Sequence, residues 1–154
     1  MISSANCNMY EVNARSALAV YGDFVRTQGG TLVASICSHE IDDVTKAAVE
    51  KSMAALGYGE NACAHIAVKV DGSELGAADV HNVIEAIDPL AIVVCDEEAA
   101  QVVSHAYRRP VELDASTRVL GRTVIAFRDL ERMMGSAKEK QRAWALLKKI
   151  PHLG

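Results

Sequence analysis

A length of 154 residues, 50% hydrophobic but only 5% aromatic, suits one domain whose core is built from aliphatic side chains. A net charge of −4 excludes indiscriminate electrostatic binding to nucleic acid or to an anionic membrane, although it leaves room for local basic patches. The sequence shows neither a secretory signal pattern nor an apolar run of membrane-spanning length, so we expect a soluble cytoplasmic protein without a membrane partner.

The cysteines are four in number, widely spaced and without a Cys-x-x-Cys pair. This spacing indicates reduced thiols rather than a disulfide framework, a zinc site or an iron–sulfur cluster. We therefore predict no metal and no cofactor.

The most strongly specified element is a buried strand around Ile92. Pro89 lacks a backbone donor and is tolerated only at the start of such a strand. Residues 90–94 are apolar without alternation, as in a parallel strand covered by helices on both faces. Asp96 then supplies the N-cap of a helix that runs to about Tyr107.

Helices and strands alternate along the rest of the chain. The other predicted elements are a helix at about 9–28, a strand at 31–37, a helix capped by Asp42 or Asp43 that ends at Gly57, a strand at 64–70, a helix at 75–87, a small strand at 111–113, strands at 118–120 and 123–127 around a Gly121-Arg122 turn, and a helix at 136–150. Strands linked by helices imply right-handed crossovers. We therefore predict a single α/β domain over 1–154, a three-layer α/β/α sandwich around a mostly parallel sheet.

Ligands of such sheets bind beyond the carboxyl ends of the strands, where successive helices depart to opposite faces. The residues that follow the predicted strands at this edge are Cys37, Ser38, His39 and Glu40; Cys95, Asp96 and Glu97; and Arg128 and Asp129. The sequence therefore predicts that any site lies there.

Two interpretations compete for each candidate in this set. His39 with Glu40 or Asp42 has the composition of an acid/base pair, and the alternative is a solvated loop histidine. Arg128 with Asp129 can neutralise an oxyanion or clasp a phosphate. The alternative there is a surface arginine beside a helix cap.

Two further groups have the same ambiguity. Cys37, Cys95 and His39 can in principle bind a soft metal, but buried thiols packing as small hydrophobic residues are the simpler interpretation. Cationic side chains can form a strip for phosphates or merely solvate a surface. They are Arg108, Arg109, Arg118, Arg122 and the lysines and arginine of 138–149.

The second half of the chain carries a recognisable series of motifs. They are Ile84-Glu85-Ala86-Ile87, Asp88-Pro89 before Ile92-Val93-Val94, Ala99-Ala100, Gly121 before Thr123-Val124-Ile125-Ala126-Phe127, and the closing Lys138-x-Lys140-x-Arg142-Ala143-Trp144-x-x-Leu147-Lys148-Lys149-Ile150. From 83 to 150 the chain thereby resembles the uracil-DNA glycosylase superfamily, particularly its bacterial family 4 type. The resemblance implies a four-stranded parallel sheet that grips duplex DNA, extrudes a base and cleaves its glycosidic bond.

The family's reactive motifs are replaced at the matching positions. Where its last strand ends in His-Pro-Ser, this sequence has Arg128, Asp129 and Leu130. The family's Gly-rich loop after the first strand is replaced by Cys37-Ser38-His39-Glu40. The asparagine after its second strand is replaced by Ala67-Val68-Lys69, and its cluster-binding cysteines are absent.

We therefore expect a divergent uracil-DNA glycosylase-like protein that lacks ordinary uracil excision and binds nucleic acid or a nucleobase. Any activity would be hydrolysis of an N-glycosidic bond. The candidate catalytic residues are His39, Glu40, Arg128 and Asp129, and the candidate ligand-binding residues are Cys37, Ser38, Cys95, Asp96 and Lys69. The alternative is a non-enzymatic module on the same fold that binds a small ligand or another protein.

Overall fold

The computed structural model describes residues 9–153, without the side chains of residues 9–11, 13 and 14. Cys7 lies outside this range, whereas Cys37, Cys63 and Cys95 are buried free thiols. None of the helices in the described part of the chain is long and apolar enough to cross a membrane.

Six α-helices and eight strands follow one another along the described chain. The helices are α1 Met9–Tyr21, α2 Asp43–Ala55, α3 Ala77–Ile87, α4 Glu97–Tyr107, α5 Leu130–Met133 and α6 Ala137–Leu147. The strands are β1 Val25–Thr27, β2 Val33–Cys37, β3 Cys63–Ala67, β4 Lys69–Val70, β5 Ser73–Glu74, β6 Ala91–Val94, β7 Ala115–Val119 and β8 Arg122–Ala126. β4 and β5 form a separate hairpin.

The main sheet has the strand order β1-β3-β2-β6-β8-β7. Its four central strands, β3, β2, β6 and β8, are parallel, and they are the four predicted core strands. The expectation of four strands is nevertheless wrong, because β1 and β7 add an antiparallel strand at either edge. These short strands pair with backbone groups that the edges of the parallel sheet would otherwise leave open.

Three local predictions differ from the structure. The N-terminal helix ends at Tyr21, well before residue 28, since Gly22 weakens the helix and residues 25–27 pair with β3 instead. Residues 111–113 are not a strand, and the pairing with β8 begins at Ala115. The hairpin turn is Leu120-Gly121, both with positive φ, so that Arg122 is the first residue of β8 rather than part of the turn.

Helices cover both faces of the sheet, as the three-layer prediction requires. On one face α3 and α4 pack with side chains such as Val83 and Val103 against Ile36 and Ile66, and α1 adds Leu18. On the other face α2, α5 and α6 pack with Val49, Leu130 and Leu147 against Val33, Val93 and Ile125. The general α/β architecture is therefore confirmed.

Candidate functional site at the carboxyl edge of the sheet

The centre of the carboxyl edge lies between β2 and β6. These strands are parallel neighbours, with Ile36 opposite Val94. Helix α2, which follows β2, packs on one face, whereas α4, which follows β6, packs on the other. The connections thus diverge at this point, which is the place where parallel α/β sheets bind ligands.

Asp96 holds the two connections together. Its Oδ1 accepts a hydrogen bond of 2.9 Å from the backbone N–H of Ala99 and so caps α4, as predicted. Its Oδ2 accepts bonds of 2.9 Å from both the backbone N–H and the hydroxyl of Ser38. One carboxylate therefore ties the loop after β2 to the first turn of α4.

His39 links this cluster to α5, the helix that follows β8. Its Nε2 lies 3.0 Å from Oε1 of Glu131 on α5, and its Nδ1 lies 3.1 Å from the Ser38 hydroxyl oxygen. The His39 ring is therefore held between Glu131 and Ser38, with 58% of its side chain exposed.

The carboxylates predicted to accompany His39 have other partners. Glu40 forms an exposed ion pair of 3.4 Å with Arg26. Asp42 caps α2, and the backbone N–H of Thr45, which donates to it at 2.7 Å, lowers the pKa of its carboxyl group. The acid beside His39 is therefore Glu131, from the far side of the edge.

Two further cations of the edge, Arg128 and Lys69, are paired with acidic groups. Arg128 lies 3.3 Å from Glu97 with most of its side chain exposed, and Lys69 lies 3.0 Å from Glu98. The hydrogen bond that the Lys69 ammonium group donates to Glu98 raises the pKa of Lys69. A phosphate would have to displace a carboxylate from either side chain.

Asp129 and the two thiols have structural environments. Asp129 Oδ1 accepts a 3.1 Å bond from the backbone N–H of Arg132, so it caps α5. Cys37 and Cys95 belong to the buried core, and the contact with Cys37 together with burial raises the pKa of Cys95. Among residues 9–153, no three histidine, cysteine or acidic side chains converge as metal ligands.

Two cavities open near the cluster. One, of about 230 Å³, is lined by Arg26, Glu40 and Ala67 among others. The other, of about 760 Å³, lies beside Arg128, Asp129 and α6. The larger one lies within the range of small-molecule sites, about 300–1,000 Å³, but the residues of the cluster line neither cavity.

No protein-family model and no curated protein matches this chain.

A second group of hydrogen-bonded side chains, Ser35, His65 and Glu50, lies at the strands β2 and β3. His65 Nε2–H donates to Glu50 at 3.1 Å, and its Nδ1 accepts from the Ser35 hydroxyl at 2.6 Å. Serine, histidine and glutamate in this order resemble the nucleophile, general base and orienting acid of a catalytic triad. Ser35, however, is completely buried in the middle of the sheet, so a substrate does not reach it. These hydrogen bonds therefore stabilise the fold.

His65 predicts a dependence of stability on pH. Burial lowers its pKa below the ordinary value of 6.5, so below about pH 6.5 the unfolded chain binds more protons than the folded one. The stability contributed by the neutral ring is complete above that pH and declines as the pH falls. We expect urea unfolding between pH 5 and 7 to show a steeper loss of stability in the wild type than in His65→Gln.

The exposed His152→Gln variant is the control and should keep the wild-type slope. An identical slope in His65→Gln would show that the buried ring does not produce this dependence.

Proposed function

We propose that this protein is a divergent uracil-DNA glycosylase-like protein that binds a nucleobase, free or as part of a small nucleoside, without ordinary uracil excision. The observation that carries the proposal is the joining of Ser38, His39, Asp96 and Glu131 into one exposed hydrogen-bonded cluster. The resemblance along the second half of the chain and the four parallel central strands support it.

The cluster has the mixed polarity that a base edge requires. Nucleobases present hydrogen-bond donors and acceptors side by side on a flat ring. His39 and Glu131 offer a donor and an acceptor that bond to each other at 3.0 Å, and a base edge would bind by replacing this exposed bond. The exposed guanidinium of Arg128 is planar, and such groups stack on aromatic faces.

Charge favours a base over a nucleic-acid backbone. Strong backbone binding requires cations that are free to replace the counterions of phosphates. At this edge Arg26, Lys69 and Arg128 are each paired with a glutamate. We therefore assign the affinity to the base rather than to the phosphates.

The same edge lacks the arrangement for the family's reaction. Arg128 stands where the resemblance implies a histidine, and it pairs with Glu97. His39 is the histidine at this edge, but it comes from the loop after β2 and is held by Glu131. A histidine in a different place is consistent with a retained binding site and a lost excision reaction.

The test is calorimetric titration with uracil, other nucleobases and nucleosides, together with single- and double-stranded oligonucleotides at several salt concentrations. We expect binding of a base or nucleoside that is insensitive to salt, and no release of uracil from uracil-containing DNA. His39→Ala and Glu131→Gln should each weaken binding about tenfold, since each removes a hydrogen bond to a charged group.

His152→Ala serves as the matched control, because it removes an exposed histidine that does not belong to the cluster. Salt-dependent binding of oligonucleotides without binding of bases would favour a nucleic-acid protein instead. Binding unaffected by His39→Ala and Glu131→Gln would contradict the site, and uracil release would contradict the loss of excision.

A further inference from the structure

A third opening lies on the outer surface between α2 and α6. Val44, Ala47, Ala48 and Lys51 line it from α2, at the spacing of one helix stripe. Its volume is about 460 Å³. The stripe from Val44 to Lys51 spans roughly 11 Å at about 1.5 Å per residue.

The matching stripe on α6 consists of Lys140, Ala143, Trp144 and Leu147. Alanines on both walls leave the space between the helices unfilled. Trp144 is only partly buried, and Val44 on the opposite wall is 61% exposed. The groove is therefore an apolar surface that the described residues do not cover.

The charged side chains that line this groove have one sign. Lys51 and Lys140 are its charged lining residues, and no aspartate or glutamate lines it. Among the described residues neither lysine forms an ion pair, whereas the lysine and the arginines at the carboxyl edge do. The groove thus combines apolar walls with two unpaired lysines, although the chain as a whole has a net charge of −4.

We propose that the groove binds a small amphipathic carboxylate, with its apolar body between α2 and α6 and its carboxylate at Lys51 or Lys140. The volume lies within the range of small-molecule sites, which is about 300–1,000 Å³. Burial of the apolar body supplies affinity, and the lysines supply selectivity for an anion.

The only tryptophan of the chain reports directly on this groove. We would follow Trp144 emission while titrating the full chain with octanoate, octan-1-ol and octyltrimethylammonium. Octanoate should shift the emission to shorter wavelength and bind about fivefold tighter than octan-1-ol, a margin typical of exposed ion pairs. Octyltrimethylammonium should bind more weakly than octan-1-ol.

The decisive variant is K51Q/K140Q, which should abolish the advantage of octanoate and leave octan-1-ol binding unchanged. The matched control is K138Q/K149Q, which removes the same charge from exposed positions that do not line the groove and should keep the advantage. Equal binding of the three probes, or an advantage that survives in K51Q/K140Q, would overturn the proposal. Emission that changes only with protein concentration would assign the groove to a second copy and overturn it as well.

Discussion

Replacing Arg122 with alanine is expected to lower the free energy of unfolding by about 3 kcal/mol, because it removes three hydrogen bonds donated by a buried guanidinium group, two of them to carboxylates. Only 9% of this arginine is exposed. Its Nε donates to the carbonyl oxygen of Pro89 at 2.9 Å, its Nη2 donates to Asp88 at 2.7 Å, and its Nη1 donates to Glu85. The substitution leaves the Asp88 carboxylate and the Pro89 carbonyl without this donor, and it leaves Glu85 with the hydroxyl of Tyr107 alone.

The network matters for the site because it fixes the start of β6. Pro89 and Asp88 connect α3 to that strand, and Asp96 follows the other end of it. Tyr107 joins the network by donating to Glu85 at 2.9 Å, and burial raises the pKa of its hydroxyl. Loss of Arg122 should therefore also make the position of β6 less fixed, and with it the position of Asp96 at the carboxyl edge.

Urea denaturation measures this effect, with Arg118→Ala as the control. Arg118 lies on the neighbouring strand β7 and is exposed. Its side chain donates a long hydrogen bond of 3.4 Å to the hydroxyl of Thr123. Its removal should cost less than about 0.5 kcal/mol, as for most surface substitutions. Equal losses in the two variants would show that the Arg122 network contributes little.

Asp96→Ala is expected to cost about 2 to 3 kcal/mol and to abolish binding at the carboxyl edge. The substitution removes the cap of α4, which is worth about 1 kcal/mol, and both bonds from Ser38. Without these bonds the loop that carries His39 is no longer held against α4. Denaturation and calorimetric titration measure the two consequences separately.

Two comparisons separate the cap from the link to Ser38. Asp129→Ala removes a cap from the short α5 alone and should cost about 1 kcal/mol. A double-mutant cycle between Ser38→Ala and Asp96→Asn should give a coupling of more than about 0.5 kcal/mol, as for residues in one network. Additive effects in that cycle would contradict the link between the two connections.

Local features of the fold could be predicted because they are encoded by neighbouring residues. The caps Asp42, Asp96 and Ser136 each accept the expected backbone hydrogen bond three residues on. The apolar runs around Ile36 and Val93 became parallel neighbours, as continuous hydrophobicity indicates for strands covered on both faces.

Features that depend on distant partners could not be predicted in this way. Glu131 lies 92 residues from the histidine it contacts, so no local spacing relates it to His39. The edge strands β1 and β7 are short and partly polar, and they form because the parallel sheet offers open backbone groups. Arg122 was counted among surface cations, although tertiary contacts with Glu85 and Asp88 bury it.

A nucleobase site at the switch point between β2 and β6 is tested most directly by mapping backbone amide shifts in ¹⁵N-labelled protein during titration with uracil and uridine. We predict that the largest shifts fall on Ser38, His39, Asp96 and Glu131, and that His39→Ala reduces them. Shifts absent at saturating ligand, or confined to residues away from this cluster, would contradict a nucleobase site there.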